Sequence, residues 1–186
     1  MAGIGFQLKR LANRDTITSL VSAGGHAAVI AAGPWLFTIL SLAGIGITTE
    51  RLVGLDTLAE FRVLIIYAFA ASLVLAAPVT IVATRLVADA LWLKEPKRVG
   101  SLLLATLVLT LAAVGVGTVL LVAFFRPPPA TALALVAGST LVGLIWVVLS
   151  FCGAVRDYNG VTLSFLVGLL VSMAASIGSA LLGGGP

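Results

Sequence analysis

Five stretches of the chain contain no Asp, Glu, Lys or Arg: residues 16–49, 63–84, 99–125, 127–155 and 158–186, of 34, 22, 27, 29 and 29 residues. The 11 basic and 7 acidic residues all lie outside them. A helix needs about 20 consecutive apolar residues to cross the hydrocarbon core of a bilayer, so every stretch is long enough. With 10% of residues charged and 60% hydrophobic, the chain is far from a soluble domain, where about a quarter are charged. Lipid offers no partner to an open N–H or C=O, so each stretch must be helical.

The expected fold is an all-α membrane protein with five transmembrane helices, at about 19–47, 61–83, 101–125, 130–152 and 161–182. Residues 19–186 form the transmembrane domain. Residues 1–18 form an N-terminal segment in which Ile4, Leu8 and Leu11 recur at helical spacing beside Lys9, Arg10 and Arg14, as in an amphipathic helix on the cytoplasmic surface. A cleaved signal peptide would have an apolar core of only about 7–15 residues. The first run is much longer and is expected to stay as a helix.

Orientation follows from the connections. Lys9, Arg10, Arg14, Arg85, Lys94, Lys97, Arg98 and Arg156 fall on one side; Arg51, Arg62 and Arg126 fall on the other. The richer side is cytoplasmic, which puts the N-terminus in the cytoplasm and Pro186 outside. Attraction of that face to anionic lipid accounts for the net charge of +4 without nucleic acid. Arg126-Pro127-Pro128-Pro129 is expected to form a stiff turn between the third and fourth helices. Tyr158-Asn159-Gly160 reads as a tight connection into the fifth.

Catalytic constellations are missing from the sequence. It has one histidine, one cysteine (Cys152) and no carboxylate pair inside a span. Metalloprotease, dithiol and phosphate-loop motifs are likewise absent. The expectation is no enzyme, no metal and no cofactor.

Several residues are nevertheless singled out. His26, well inside the first span, is either a transport-path residue facing a wet cavity or a packing residue with one interhelical hydrogen bond. Gly33, Pro34 and Trp35 place a bend near mid-membrane, as transporter helices do around a cargo, and Pro78 acts similarly in the second span. Arg85 and Asp89, four residues apart, share a helix face at the inner end of the second span. Their pairing either fixes helix depth or serves as a cytoplasmic gate. Ser164, Gly168, Ser172 and Ser176 recur every fourth residue in the fifth span; such a face suits close helix packing or a smooth cavity wall. Trp146 and Met173 read as ordinary packing.

The opening Met1-Ala2-Gly3-Ile4-Gly5-Phe6, then Gly33-Pro34-Trp35, Phe61-Arg62, Thr84-Arg85 with Ala88-Asp89, and Asp157-Tyr158-Asn159 resemble, in order and spacing, the PelG family. This is the integral-membrane transport component of the bacterial Pel exopolysaccharide machinery. The resemblance covers essentially the whole chain. It implies a multi-pass inner-membrane protein with a polysaccharide-flippase-like helical bundle, of which this chain would supply the N-terminal portion. The implied cargo is a galactosamine-rich polymer. Implied partners are a cytosolic glycosyltransferase and other Pel membrane subunits, linked to cyclic-di-GMP. Gly24, Gly25 and His26 stand where the family leads one to expect aromatic residues. The alternatives are a flippase for another lipid-linked glycan and a non-transporting scaffold that docks a glycosyltransferase through Lys94, Lys97 and Arg98.

One prediction follows from the charge pattern. A topology reporter inserted between Asp89 and Arg98 should register the cytoplasmic compartment; an exterior signal would reverse the orientation.

Overall fold

The computed structural model describes residues 36, 38–155 and 158–183. They are helical apart from short connections: α1 (38–53), α2 (Leu55–Trp92), α3 (Lys97–Phe125), α4 (Pro129–Val155) and α5 (Tyr158–Leu181). Four of these, α2 to α5, are long and apolar enough to cross a membrane. Most of the expected span at 19–47 lies outside the described residues; its described end belongs to α1.

The polar connections are shorter than the charge pattern predicts, because helix continues through charged residues that need only reach the headgroups. The expected break around residues 48–60 shrinks to Gly54, whose N–H donates to the Glu50 carbonyl at 3.1 Å. Gly54 has φ +83°, a left-handed conformation that lacks a Cβ penalty only in glycine. Asp56 then sits in the first turn of α2, where its charge meets the positive end of the helix dipole.

At the far end, α2 runs on to Trp92 in place of stopping near Ala83. Two bonds close it: the Glu95 N–H donates to the Ala90 carbonyl at 2.9 Å, and the Lys94 N–H to the Leu91 carbonyl at 3.2 Å. This paired pattern satisfies carbonyls that a helix end leaves open, and it turns the chain through Lys94 at φ 57°. Pro96 caps α3. Arg126, at φ 50° with its N–H on the Val122 carbonyl, ends α3. Pro129 starts α4, in the first helical position where a missing N–H is harmless. Tyr158, Asn159 and Gly160 lie in the first turn of α5, not in a connection. The opening N–H groups of a helix need no intrahelical partner, so weak helix formers are tolerated there.

Two compact units divide the described residues: α1 up to Leu58 together with α5, and Ala59–Val155, which holds α3, α4 and all but the first turn of α2. In the first unit Ser172 donates to the Leu169 carbonyl, and the Ser41 and Ser172 hydroxyls meet at 2.7 Å. Gly44 faces Met173, whose Cε lies 2.8 Å from where a Cβ would stand.

The second unit buries small and hydroxyl side chains and turns its large ones outward. Ala68, Ser72, Ala76, Ala83, Val87 and Ala90 are buried on α2. Thr106, Thr110, Val114 and Thr118 are buried on α3, and Ser139, Gly143, Val147 and Phe151 on α4, each row at every fourth position. Ile66, Val74, Leu104, Leu120 and Leu141 are all more than 60% exposed. Such a surface suits lipid, where aliphatic chains lose nothing by facing out and helices associate by close contact.

Helices α3 and α4 form an antiparallel hairpin whose register is set by Val114 against Gly143. A Cβ on Gly143 would stand 3.0 Å from Val114 Cγ2. That register puts Thr118 opposite Ser139. Across α2, Leu75 packs on Gly117 and Ala68 on Gly138. Further along, Ala83 and Val87 cluster with Val147 and Phe151.

Gly143→Leu should therefore force α3 and α4 apart and destabilise the protein by about 1–3 kcal/mol, as overpacking does. Gly115, with nothing within 4 Å of its would-be Cβ, is the control: Gly115→Ala should be neutral or gain up to about 1 kcal/mol from helix propensity. Thermal unfolding of the purified protein in detergent checks both.

Candidate functional site

His26, Gly33, Pro34 and Trp35 lie outside the described residues. Arg85 and Asp89 are in place on the last turns of α2, with Arg85 Nε 3.5 Å from Asp89 Oδ1. Their side chains are 79% and 53% exposed, so the contact contributes little to stability. A tighter pair follows across the turn, where Arg98 Nε meets Glu95 Oε2 at 2.9 Å. Lys94 and Lys97 are exposed at the same end.

The small-residue face of α5 is used unevenly. Ser172 bonds Ser41, and Ser176 is half-buried. Ser164 and Gly168 are exposed, and nothing lies within 4 Å of where a Gly168 Cβ would be. Met173, expected as packing, sits over Gly44.

The most polar interior feature is one the charge pattern does not mark. Hydroxyls in apolar helices usually donate to a carbonyl three or four residues back. Thr49, Thr80, Thr106 and Ser150 do so here, onto Ile45, Ala77, Leu102 and Trp146. Thr110 Oγ1, Thr118 Oγ1 and Ser139 Oγ do not: they are fully buried and lack a hydrogen-bond partner. A buried hydroxyl without a partner costs about 1–3 kcal/mol. Nearby, Ser72 donates to the Phe69 carbonyl at 2.8 Å and accepts from Trp146 Nε1 at 3.3 Å. Trp146 is thus a hydrogen-bonding residue as well as a packing one. The sequence signal was available in the four-residue spacing of Thr106, Thr110 and Thr118.

The hydroxyl rows run into a groove. A cavity of about 300 Å³ opens at the 126–128 end of the unit, lined by Leu64, Tyr67, Val122, Phe125, Thr131 and Leu135 among others. Val122 is one step of four beyond Thr118, and Leu135 one step of four before Ser139. The groove therefore continues the same two faces, with an apolar mouth and hydroxyls behind it. Neutral hydroxyls can both donate and accept but do not exchange protons near neutral pH. The arrangement suits binding or guidance of polar groups, not acid–base chemistry.

No curated protein and no solved structure matches the chain. One family model does, over residues 1–182, and its description is "PelG: Putative exopolysaccharide Exporter (EPS-E)". That description is of an exporter, not of an enzyme. A match over nearly the whole length, on a chain with four helices of membrane-crossing length and apolarity, makes this protein a member of the PelG exopolysaccharide-exporter family.

Proposed function

We propose that the chain is the membrane-embedded part of a Pel-type exopolysaccharide exporter, moving polymer across the bacterial cytoplasmic membrane with its N-terminus in the cytoplasm. The family match over residues 1–182 carries this reading. Two further features support it. The chain has no acid, base or metal set inside its charge-free runs that would suit chemistry in the membrane, and its second helical unit keeps hydroxyls in its interior, which suits a polar cargo.

In this reading Gly33, Pro34 and Trp35 bend the first span beside the cargo, and His26 faces the same path. Arg85 and Asp89 hold the cytoplasmic end of α2 at the headgroups. The 1–18 segment lies on the cytoplasmic surface. The basic turn with Lys94, Lys97 and Arg98 is the surface on which a cytosolic glycosyltransferase would dock, and other Pel membrane subunits would complete the machine.

The test is polymer secretion. Deleting the gene should abolish secreted polymer. A full-length variant carrying Pro34→Leu should insert at normal levels yet secrete several-fold less, because restoring the helical hydrogen bond removes the bend. Unchanged secretion would take the bend out of the mechanism. If Lys94→Glu with Lys97→Glu stops secretion while variants inside the spans do not, the chain acts as a docking scaffold and not as a conduit.

A further inference from the structure

The geometry points to a hydroxyl-lined binding passage inside the second helical unit: Thr110, Thr118 and Ser139, reached through the groove at the 126–128 end, take the hydroxyls of an uncharged, polyhydroxylated chain. The inference deepens the exporter reading and rests on it for the identity of the cargo.

Three observations carry it. First, the hydroxyls at these positions are fully buried and unpartnered, although Thr106 on the same face of α3 satisfies itself on the Leu102 carbonyl. Valine and alanine would fill the same volumes without an open polar atom, so packing does not account for the hydroxyls. Secondly, the rows are aimed. Val114 against Gly143 places Thr118 and Ser139 face to face, and one step of four from each leads to Val122 and Leu135 in the groove wall. Thirdly, the cover over this stretch is light. Leu75 on Gly117 and Ala68 on Gly138 are the α2 contacts beside Thr118 and Ser139. Pro78, just beyond them in α2, cannot donate to the Val74 carbonyl, so α2 lacks one of its own bonds where it would have to bend.

The chemistry of the ligand follows from the lining. It contains no carboxylate, ammonium or guanidinium: Glu60, Arg62, Arg85 and Asp89 lie outside the 63–84 stretch of α2, and α3 and α4 are charge-free between Val99 and Val155 apart from Arg126 in the turn. A charged ligand would find no counter-ion there, whereas sugar hydroxyls pair with threonine and serine in either direction. The aromatic rings of Tyr67 and Phe125 at the mouth offer apolar faces on which a pyranose ring can rest.

The test uses the full-length chain in polymer-secreting cells, with Cys152→Ser removing its single thiol. Thr110→Cys, Thr118→Cys and Ser139→Cys should each react with a membrane-impermeant sulfonated methanethiosulfonate. Leu111→Cys, at an exposed apolar position of α3, should not. Absence of labelling at both Thr118→Cys and Ser139→Cys would overturn the inference. A second variant set, Thr110→Val, Thr118→Val and Ser139→Ala together, keeps the shape and removes the open hydroxyls. It should melt at the same or a higher temperature in detergent and secrete several-fold less polymer; wild-type secretion from it would also overturn the inference. If gene deletion leaves secretion intact, the exporter reading fails on its own, while labelling in isolated membranes still decides whether the passage is wet.

Discussion

Helices surrounded by lipid gain no hydrophobic energy by touching one another, and this decides the character of the interior. Leucine, isoleucine and phenylalanine are as comfortable against acyl chains as against protein, so they face outward. What remains for holding helices together is close contact, which needs small side chains. Val114 seated on Gly143, Leu75 on Gly117 and Ala68 on Gly138 are the points where backbones approach. The alanines of α2 serve the same end. This inside-out arrangement also leaves hydroxyls as the natural interior polar groups, since serine and threonine are nearly as small.

The connections obey the same backbone economy. Every helix end leaves carbonyls without donors, and each described turn recovers some of them within a few residues. Gly54 and Arg126 use a single left-handed residue; Lys94 uses the two-bond version. Lysine and arginine pay a Cβ clash in that conformation which glycine would avoid. Their long side chains in return extend the charge into the headgroup layer.

Much of the helical layout was legible in the sequence, because absence of charge over twenty or more residues is a one-dimensional signal. The turn at Arg126, Pro127 and Pro128 was equally plain, since proline fixes both what stops and what starts. Other connections were drawn too wide. Charged residues at 50–60 and 85–92 read as loop, yet Glu50, Glu60, Arg85 and Asp89 are all helical, since a helix has no reason to end at the hydrocarbon boundary. Tyr158, Asn159 and Gly160 read as a turn for their composition and instead open α5. The hydroxyls of Thr110, Thr118 and Ser139 escaped notice because their meaning depends on register between helices, which no single segment encodes. The family resemblance drew in part on Gly33, Pro34 and Trp35, outside the described residues, and so stood independently of the packing.

Helix α2 has 38 residues, about 57 Å at the usual rise, against a hydrocarbon core of about 30 Å. Its charge-free stretch, 63–84, is about 33 Å long and nearly matches that core. Eight helical residues flank it at each end, roughly 12 Å of rod clear of each boundary. A bilayer that thins or thickens by a few Å can thus slide along α2 without unwinding a turn, and the mismatch falls on flanking side chains rather than on the fold. The protein carries its own tolerance to the lipid composition in which it is placed.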